Sequence, residues 1–564
     1  MVKDPEIISR LEQVLGKEQV LTSEDSKAYY TKGYRVGSGK ALAVAVPQTL
    51  MQLWQVLEAC IACDKIILMQ AANTGVTGGS TPDGAEYDRD VIIVSTRRLK
   101  GVQIIDEARQ VIAFPGSTLT ELEKALLPHG KEPHSVIGSS CIGASVVGGV
   151  CNNSGGSLIR RGPAFTEKSL FARINADGSL QLVNHLGIEL GSTPEEMIAN
   201  LESHHYSTGT AADWQGKIWA DDYAGILRDV EADTPTRYNG NVQYLHDSSG
   251  SAGKVAVFAV RLSTFDASEK TRTFYIGTND EAELVALRRT LLTGLTELPL
   301  QAEYIHRDAF DLTLRYAKHM CWAISRFGPE ALPGLMANKA KWDIRVKNLK
   351  ILPHNFVDKV LQFANNVTPK GVAPRILAWR DRFEHHLMIK AEARHADELQ
   401  QQLEQFFSGR SGRYFACDER EERDAFLLRF GVGGCTISYC DYKGINADQR
   451  LVAFDVALRR NDTEWRIKLP QALRDQVQEE SCCGHFFCFV NHQDYILKPG
   501  VDAVAFKHAV LDYLDRRGAK YPAEHNVGHL YHASCEYESH MRQLDPTNSC
   551  NPGIGKTSRK KFWQ

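Results

Sequence analysis

Two long glycine-rich loops between residues 70 and 156 constrain most strongly what this chain can fold into. The first loop spans residues 70–80 and follows the apolar run 66–69, and the second loop spans residues 138–156. A strand that ends in residues with almost no side chain leaves its backbone N–H groups accessible, which suits a pyrophosphate or a flat ring. The alternative is that these glycines only form turns. Because both loops are long and follow apolar strands, we predict one cradle for a phosphate and a ring.

Hydrophobic periodicity around the loops predicts alternating strands and helices. A strand at 41–46, a helix at 49–63 and the strand at 66–69 form a β-α-β unit that ends in the first loop. Neither loop has the G-x-G-x-x-G spacing of a dinucleotide fingerprint, and Cys550 stands where a phosphate loop near the C-terminus would need glycine. We therefore reject a Rossmann site and an ATP site. The other predicted elements are a helix at 5–20, strands at 91–95, 110–115, 170–175 and 254–261, a helix at 119–127, and a polar surface insertion at 192–250.

Length and composition indicate a large globular protein. The 564 residues suffice for two to four domains, and because 43% of them are hydrophobic, disorder is not the main state. We find no run of 18 apolar residues and no apolar N-terminal core typical of a secretory signal. The 13 scattered cysteines predict reduced thiols in a cytosolic compartment. Cys60 and Cys63 lie on a helical apolar pattern, which favours core packing over a metal or redox role.

The charge of the chain changes sign in its middle. Residues 306–390 contain 15 Lys and Arg against 7 Asp and Glu, although the whole chain has a formal net charge of −3. Basic residues interleaved with aromatic ones suit an anionic lipid surface, where each Lys or Arg contributes about 1 kcal/mol. An ordinary solvated basic face is the first alternative, and nucleic acid is disfavoured because no nucleic-acid motif accompanies the segment. The aromatic residues are Trp322, Phe327, Trp342, Phe356, Phe363, Trp379 and Phe383.

Three stretches beyond residue 450 carry side chains that could oxidise a hydroxy acid. Arg459 is the first of two adjacent arginines. His485 and His492 lie seven residues apart in an aromatic stretch. Glu524 and His525 lie in a loop before a helix. An Arg can bind a carboxylate through two parallel hydrogen bonds, and a neutral His can take a hydroxyl proton near pH 7. The alternative is that each His is structural and that the double Arg lies on the surface.

The glycine loops resemble those of a known flavin-binding domain. Residues 72–80 resemble the G-G-T-G-L-T-G-G loop of the vanillyl-alcohol oxidase and p-cresol methylhydroxylase group (VAO/PCMH), and residues 142–156 resemble its later G-G-x-x-x-x-N-x-G-G loop. The resemblance implies an FAD-binding domain of two α+β subdomains, with the strand that holds Val257 packed on the flavin or adenine side. Relatives that bond FAD covalently often carry a His in the first loop, and since none occurs here we expect noncovalent FAD. The residues expected to bind FAD are Ala71, Ala72, Asn73, Thr74, Gly75, Gly79, Ser80, Gly138, Ser145, Gly155 and Val257.

The C-terminal stretches resemble motifs of FAD-dependent D-2-hydroxyacid dehydrogenases. His485 and His492 match the spacing of H-x-G-D-G-N-x-H, and Glu524 and His525 match G-E-H-G-x-G. Arg459 and Thr463 match R-E-R-I-T. The D-G-N of the first motif is replaced here by residues 488–491. In those relatives the motifs surround the substrate, and a divalent metal can lie on two His and the Glu. The resemblance therefore leaves open whether this chain binds a metal.

A narrower resemblance runs nearly from end to end. Residues 64–75, 132–145, 459–465 and 521–531 resemble the bacterial respiratory, quinone-dependent D-lactate dehydrogenase family. It implies an α+β protein in which the C-terminal segment folds back over the flavin. The implied domains are an FAD-binding domain at 1–263 and 515–564, a cap domain with an antiparallel sheet at 264–305 and 383–514, and a small, mostly helical, electropositive membrane-binding domain at 306–382, to which part of 420–446 is a candidate addition.

The resemblance also implies a reaction and a location. Arg459 would hold the carboxylate of D-lactate, and His525, or else His485 or His492, would accept its hydroxyl proton while hydride leaves to FAD. Pyruvate would result, and the electrons would pass to a membrane quinone at the cytoplasmic face of the bacterial inner membrane, with the protein bound peripherally to anionic phospholipid. Two alternatives stay open. They are a dehydrogenase for D-2-hydroxyglutarate or glycolate with another acceptor, and a non-enzymatic flavin-binding membrane sensor.

Overall fold

The structure is a computed structural model that describes most of the chain. Within the described residues lie sheets of four, five and seven strands and one two-stranded pair. The described ranges are 5–135, 142–207, 216–268, 270–328, 334–335, 338–339, 342–343, 345–346, 353, 355–369 and 371–564.

The strands and helices predicted for the first 130 residues occur in the predicted order, together with further short strands. The strands are β1 Val20–Leu21, β2 Ala43–Ala45, β3 Ile66–Gln70, β4 Val91–Ser95, β5 Val102–Ile105, β6 Gln110–Ala113, β7 Lys131–Glu132, β8 Ser169–Ile174, β9 Leu180–Asn184, β10 Ala256–Ser263, β11 Phe265–Asp266, β12 Thr271–Thr278, β13 Gln301–His306, β14 His385–Glu392, β15 Arg413–Ala416, β16 Leu451–Ala457, β17 Val477–His485 and β18 Val490–Leu497. The α-helices are Pro5–Leu15, Glu24–Lys27, Leu50–Ala62, Leu119–Leu126, Val146–Cys151, Pro194–Glu202, Tyr223–Arg228, Glu281–Gly294, Arg307–Leu312, Lys318–Phe327, Phe356–Val367, Pro374–Arg382, Ala396–Phe407, Glu419–Lys443, Ala447–Arg450, Gln471–Arg474, Ala503–Arg516 and Cys535–Leu544. The predicted strands and the helices at 49–63 and 119–127 are therefore confirmed, whereas the helix predicted at 5–20 ends at Leu15.

The four-stranded sheet places the first glycine loop at the end of a parallel strand. Its order is β1-β2-β4-β3, and β4 runs parallel to β2 and β3. These strands are nearly continuous buried apolar runs, as expected where helices cover a parallel sheet. The helix Leu50–Ala62 begins at Thr49, whose side chain accepts a hydrogen bond from the N–H of Gln52, and it packs on this sheet with Leu53 and Cys60 in the core. The loop thus begins at a carboxyl strand end, where open α/β sheets bind ligands.

A second, antiparallel sheet carries the other side of the cradle. Its order is β5-β6-β10-β8-β9, so β10 lies at its centre. Val257 of β10 lies in one buried cluster with Val146 and Val150 of the short helix that follows residue 145. The second glycine loop is therefore packed on the strand that the resemblance assigns to the flavin, and the predicted pair of α+β subdomains is confirmed.

The seven-stranded sheet is antiparallel throughout and has the order β15-β12-β14-β13-β17-β18-β16. The helices Glu281–Gly294 and Ala396–Phe407 cover one face, and Arg307–Leu312 and Glu419–Lys443 cover the other. Its strands come from residues 271–306, 385–416 and 451–497. This sheet matches the antiparallel sheet expected for a cap, while the domain boundaries themselves stay a prediction.

A helical segment is inserted between β13 and β14. It contains the helices from Arg307–Leu312 to Pro374–Arg382 and a π-helical turn at Thr313–Ala317. Trp322 is 51% exposed, Phe327 57%, Trp342 57% and Phe363 69%. Phe383 is instead buried, so its predicted place on a lipid-facing surface is wrong. Among the described residues, no helix is both long enough and apolar enough to cross a bilayer.

The segment 192–250 is more than the surface insertion that its polarity predicts. It begins with the helix Pro194–Glu202, but Thr236, Arg237 and Ser249 are at most 2% exposed. The side-chain hydroxyl of Ser249 donates to the carbonyl of Thr166, which fixes this segment to the stretch just before β8. The prediction fails because Arg237 and Ser249 find hydrogen-bond partners inside the protein rather than in water.

Candidate active site

One large cavity joins the two glycine loops to the seven-stranded sheet. Its volume is about 2920 Å³, and its wall includes residues of both loops, of β10 and of the C-terminal stretch 521–532. Gly138, which the sequence places at this site, lies outside the described residues. The other predicted FAD-binding residues all line the cavity: Ala71, Ala72, Asn73, Thr74, Gly75, Gly79, Ser80, Ser145, Gly155 and Val257.

The first loop is held open by side chains at its two ends. The Gln70 amide donates to the carbonyl oxygens of Tyr30 at 2.9 Å and of Ser80 at 2.6 Å. The Ser80 hydroxyl donates to Asn73 Oδ1 at 3.1 Å, and Asn73 adopts φ 53°, which Asn tolerates better than most residues. A Cβ on Gly75 would meet no atom within 4 Å and would therefore extend into the cavity. Small residues keep this space free for a ligand.

The cavity wall fits a flavin nucleotide in two ways: it leaves space for the ligand, and it offers hydrogen-bond acceptors that have no partner within the described part of the protein. Gln70 Oε1 and Asn551 Oδ1 are buried and have no hydrogen-bond partner among the described residues, and both residues line the cavity. Buried polar atoms are normally paired, so a ligand with N–H groups would satisfy them. Flavin and adenine rings carry such groups, and the residues present therefore fit FAD.

The C-terminal segment closes over the first loop, as the resemblance predicts. The backbone N–H of His529 donates to the Thr77 carbonyl at 3.0 Å, and the Asn551 amide donates to the Gly79 carbonyl at 2.9 Å. A Cβ on Gly528 would stand 2.1 Å from the Thr77 oxygen, and this residue has φ 54°. Only glycine suits this close approach.

The second loop contacts the catalytic candidates directly. A Cβ on Gly155 would stand 2.6 Å from Glu524 Oε1, so glycine is needed for this carboxylate to occupy its place. Ser145 caps the helix Val146–Cys151 by accepting a hydrogen bond from the N–H of Gly148 at 3.0 Å. Gly155 thus positions Glu524 in addition to lining the cavity.

His485 lies between two carboxylates in the centre of the seven-stranded sheet. Its Nδ1 is 2.8 Å from Glu303 Oε1, and its Nε2 is 3.1 Å from Glu524 Oε2. Burial lowers the pKa of His485, but Glu303 and Glu524 outweigh burial and raise this pKa to about 10. In the absence of a metal the ring therefore carries a positive charge at neutral pH.

Asp455 binds the other two histidines. Its carboxylate lies 3.1 Å from His525 Nδ1 and 3.3 Å from His492 Nδ1, and it accepts the backbone N–H groups of Glu524 at 2.7 Å and of His525 at 3.1 Å. Burial raises the pKa of Asp455, but His525 and His492 outweigh burial and hold it well below its usual range. Asp455 is thus an ionised group that orients His525, whose side chain is 41% exposed and lines the cavity.

Two arginines complete the charge balance. Arg237 donates to Glu524 Oε1 and, at 2.8 Å, to the Gly156 carbonyl, and the Arg237 and Glu524 side chains are only 3% and 6% exposed. Arg429 Nε lies 2.9 Å from Glu303 Oε2. Each buried glutamate is therefore paired with one guanidinium and with His485, which offsets the desolvation of the charges.

Arg459 lies elsewhere. Its guanidinium forms an ion pair with Asp233 at 2.7 Å, and its side chain packs on Gly518. It is absent from the described cavity lining, and Thr463 of the same predicted motif is exposed. The physical reason is that Arg459 follows the end of β16, whereas Asp455 inside this strand reaches the site.

Sequence reasoning missed Glu303, Asp455 and Arg429 as site residues. Glu303 and Asp455 did leave a signal, because each is a lone acid within a buried, mostly apolar strand. Arg429 left none, since it is one of several charges on the long helix Glu419–Lys443. Arg237 lies in the segment 192–250, whose polarity predicts a surface insertion.

The histidine cluster fits a divalent cation. One potential ligand atom each of His485, His492 and Glu524 lies within 4.8 Å of the others. Glu303 contacts the outer nitrogen of His485, and Asp455 contacts that of His492, as carboxylates do for metal-bound histidines. Such a cation would require His485 to lose its proton. The donor set is thus chemically suitable for a metal such as zinc.

Two family models match the chain. The model described as "D-lactate dehydrogenase, membrane binding" matches residues 273–563, and the model described as "FAD binding domain" matches residues 41–172. The first match spans more than half of the chain. It includes the seven-stranded sheet, the helical insertion and the histidine cluster.

Full-length relatives and a solved structure agree with these matches. The quinone-dependent D-lactate dehydrogenase of Escherichia coli is 48% identical over 559 residues, which are 99% of this chain and 97% of that protein. The enzyme of the same name from Haemophilus influenzae is 46% identical over 559 residues, 99% of each chain. The structure of p-cresol methylhydroxylase with bound substrate has a TM-score of 0.60 at 12% identity, over 99% of this chain and 97% of that one, and confirms the VAO/PCMH-type fold. Identity at this level over the whole length shows that the chain belongs to the family of quinone-dependent D-lactate dehydrogenases.

Proposed function

We propose that this protein oxidises D-lactate to pyruvate, with noncovalently bound FAD as cofactor and a membrane quinone as electron acceptor. The observation that supports the proposal is one cavity whose wall includes His525, His485 and Arg429 together with residues of both glycine loops. Membership of the family supports the substrate and the acceptor, and the lack of a His in residues 70–80 supports a noncovalent cofactor.

His525 is the base in this proposal. Its Nδ1 donates to Asp455, which leaves Nε2 free to take the hydroxyl proton of the substrate. Asp455 also stabilises the imidazolium that results, as the aspartate does in other Asp–His pairs. His485 is unsuited to this task because it already carries a proton between Glu303 and Glu524. His492 is the weaker alternative, since its second nitrogen lies 3.6 Å from Glu524.

Arg429 binds the substrate carboxylate in place of Arg459. Arg429 lines the cavity and its described contact is made through Nε, so its Nη groups are available for a carboxylate. The charged His485 adds a second positive group on the same side. FAD, when bound, supplies the acceptor for the two electrons of the oxidation. A divalent cation at His485, His492 and Glu524 would take the place of the His485 proton and would supply a Lewis acid to the site.

Anaerobic addition of substrate tests the reaction. We expect D-lactate to bleach the visible absorbance of FAD in the purified holoenzyme, and L-lactate, glycolate and D-2-hydroxyglutarate at equal concentration to bleach it more slowly. Faster bleaching by glycolate or D-2-hydroxyglutarate would assign the protein to another D-2-hydroxy acid. If no acid bleaches the flavin, the enzymatic proposal is wrong and a sensor role is favoured.

The Arg429→Lys variant tests the carboxylate site. We expect KM for D-lactate to rise about 10- to 100-fold, because the loss of a charge-assisted hydrogen bond corresponds to about 1.5–3 kcal/mol. Lysine keeps the positive charge beside Glu303, which protects the fold. Arg459→Lys is the matched control and should leave KM unchanged. If KM instead rises in Arg459→Lys and not in Arg429→Lys, Arg459 is the residue that binds the substrate carboxylate.

We also propose that the helical insertion binds anionic phospholipid. Its exposed aromatic side chains, including Trp322 and Phe363, lie on the same segment as the exposed basic residues Arg315, Arg326 and Lys359. Aromatic rings insert at the headgroup level while basic groups attract anionic lipids. We further infer that the surface is the cytoplasmic face of the bacterial inner membrane, a reducing side that suits the 12 described cysteines, all of which are free thiols.

Vesicle sedimentation separates the contribution of the basic residues to lipid binding from that of the aromatic residues. We expect binding to vesicles with phosphatidylglycerol to exceed binding to pure phosphatidylcholine, and to weaken as salt screens the charges. The double variant Trp322→Ser/Phe363→Ser should bind less at any salt concentration. Phe562→Ser is the matched control, because Phe562 is 52% exposed but lies in the C-terminal segment. Equal binding to both vesicle types would contradict the proposal.

A further inference from the structure

A second group of histidines lies where the helical insertion leaves and re-enters the seven-stranded sheet. His306 ends β13, His385 begins β14, and the two residues are direct partners in the strand register. They are only 6% and 2% exposed, and their ring centroids are 5.3 Å apart. Glu384 precedes His385, and one potential ligand atom of each of these three residues lies within 4.8 Å of the others. The group is separate from the active site, since His306 lies three residues, or about 10 Å, along β13 from Glu303.

The Nδ1 atoms of both rings already have polar partners. His306 Nδ1 accepts a hydrogen bond from the backbone N–H of Asp308 at 3.3 Å and also lies 3.1 Å from Asp308 Oδ2. A metal at Nε2 would select the tautomer in which Nδ1 donates to Asp308 Oδ2 instead. His385 Nδ1 lies 2.7 Å from the Tyr304 hydroxyl. In metal sites, an oxygen atom that accepts a hydrogen bond from Nδ1 fixes the orientation of the histidine ring and leaves Nε2 for the metal.

His306 Nε2 gives an independent reason to expect a ligand. This atom is buried and has no hydrogen-bond partner among the described residues. An unpaired polar atom inside a protein is unfavourable, and a ligand on this nitrogen would remove the penalty. Glu384 is half-exposed and accepts a hydrogen bond from Arg307 at 2.9 Å, so its carboxylate can be reached from solvent.

We propose that His306, His385 and Glu384 bind a divalent transition-metal ion of the zinc type. Two imidazoles and one carboxylate are a common ligand set for zinc, and three protein ligands leave one position for water. The ion cross-links the two strand ends that carry the helical insertion. Its role is therefore to fix the base of the insertion against the sheet, apart from the chemistry at His525.

Zinc titration of metal-free holoenzyme tests this site. Calorimetry and metal analysis after dialysis are compared for the wild-type protein, Glu384→Gln, His306→Gln and the active-site variant His492→Gln. We expect Glu384→Gln to weaken zinc binding at this site at least 10-fold and His306→Gln to abolish it, while His492→Gln retains it. Glu58→Gln, which removes an exposed carboxylate elsewhere, is the matched control and should bind as the wild type does.

The outcomes separate this site from the active site. If Glu384→Gln and His306→Gln bind zinc as the wild type does, the inference is wrong. If zinc is lost only in His492→Gln, the metal belongs to the active-site cluster and the inference is also wrong. Should His306→Gln fail to fold, Glu384→Gln decides, because its side chain is 46% exposed and can be changed without disturbing the core.

Discussion

The His525→Ala variant is expected to oxidise D-lactate about 10²- to 10⁴-fold more slowly than the wild type at saturating substrate, which is the usual contribution of a positioned acid–base group. The loss falls on kcat because alanine removes the group that takes the hydroxyl proton, while Arg429 still binds the carboxylate. Steady-state rates with a soluble quinone analogue measure the effect. The FAD content of each preparation is measured beside them.

The controls for His525 distinguish a base from a structural residue. His205→Ala, which changes an exposed histidine away from the cavity, should keep the wild-type rate. Asp455→Asn should lower kcat less than His525→Ala does, because it disturbs the orientation of the base without removing it. A normal rate in His525→Ala with normal FAD content would contradict the assignment and transfer the role to His492.

Replacement of Arg237 by methionine is expected to lower the free energy of unfolding by about 3–5 kcal/mol, because it leaves the Glu524 carboxylate buried without its guanidinium. Burial raises the pKa of Glu524, but Arg237 and His485 outweigh burial and hold this pKa well below its usual range. Without Arg237 the carboxylate would keep only the histidines as partners. Denaturant unfolding of the holoenzyme, followed by flavin fluorescence and circular dichroism, measures the difference.

A second substitution separates charge from packing. In Arg237→Met/Glu524→Gln no unpaired carboxylate remains, so part of the lost stability should return although the catalytic site is damaged. Arg10→Met is the matched control, since Arg10 pairs with Glu6 on the surface and such pairs contribute about 0–1 kcal/mol. Equal losses for Arg10→Met and Arg237→Met would contradict the buried-pair argument.

Local structure followed closely from local pattern. The apolar run at 66–69 became β3, and the helix predicted at 49–63 became Leu50–Ala62, capped by Thr49. The helix predicted at 5–20 ended early because Gly16 adopts φ 82° and ψ 149°, a non-helical backbone conformation that glycine adopts readily. In this helix the hydrophobic pattern failed at one residue with special backbone freedom.

The sequence by itself determined the glycine cradle and the histidine motifs, because these depend on residues that are close in the chain. Only the tertiary structure decided which charges meet. Glu303, Arg237 and Arg429 come from three distant segments, and no local pattern identifies the partner of each charge; the lone acid Glu303 in an apolar strand indicates only that a partner is needed. Arg459 shows that closeness in the chain does not place a residue in the site either. It lies only four residues beyond Asp455 and yet binds Asp233 outside the described cavity wall. The physical reason is that sheet register and the packing of long helices, rather than spacing along the chain, set the distances between charged groups.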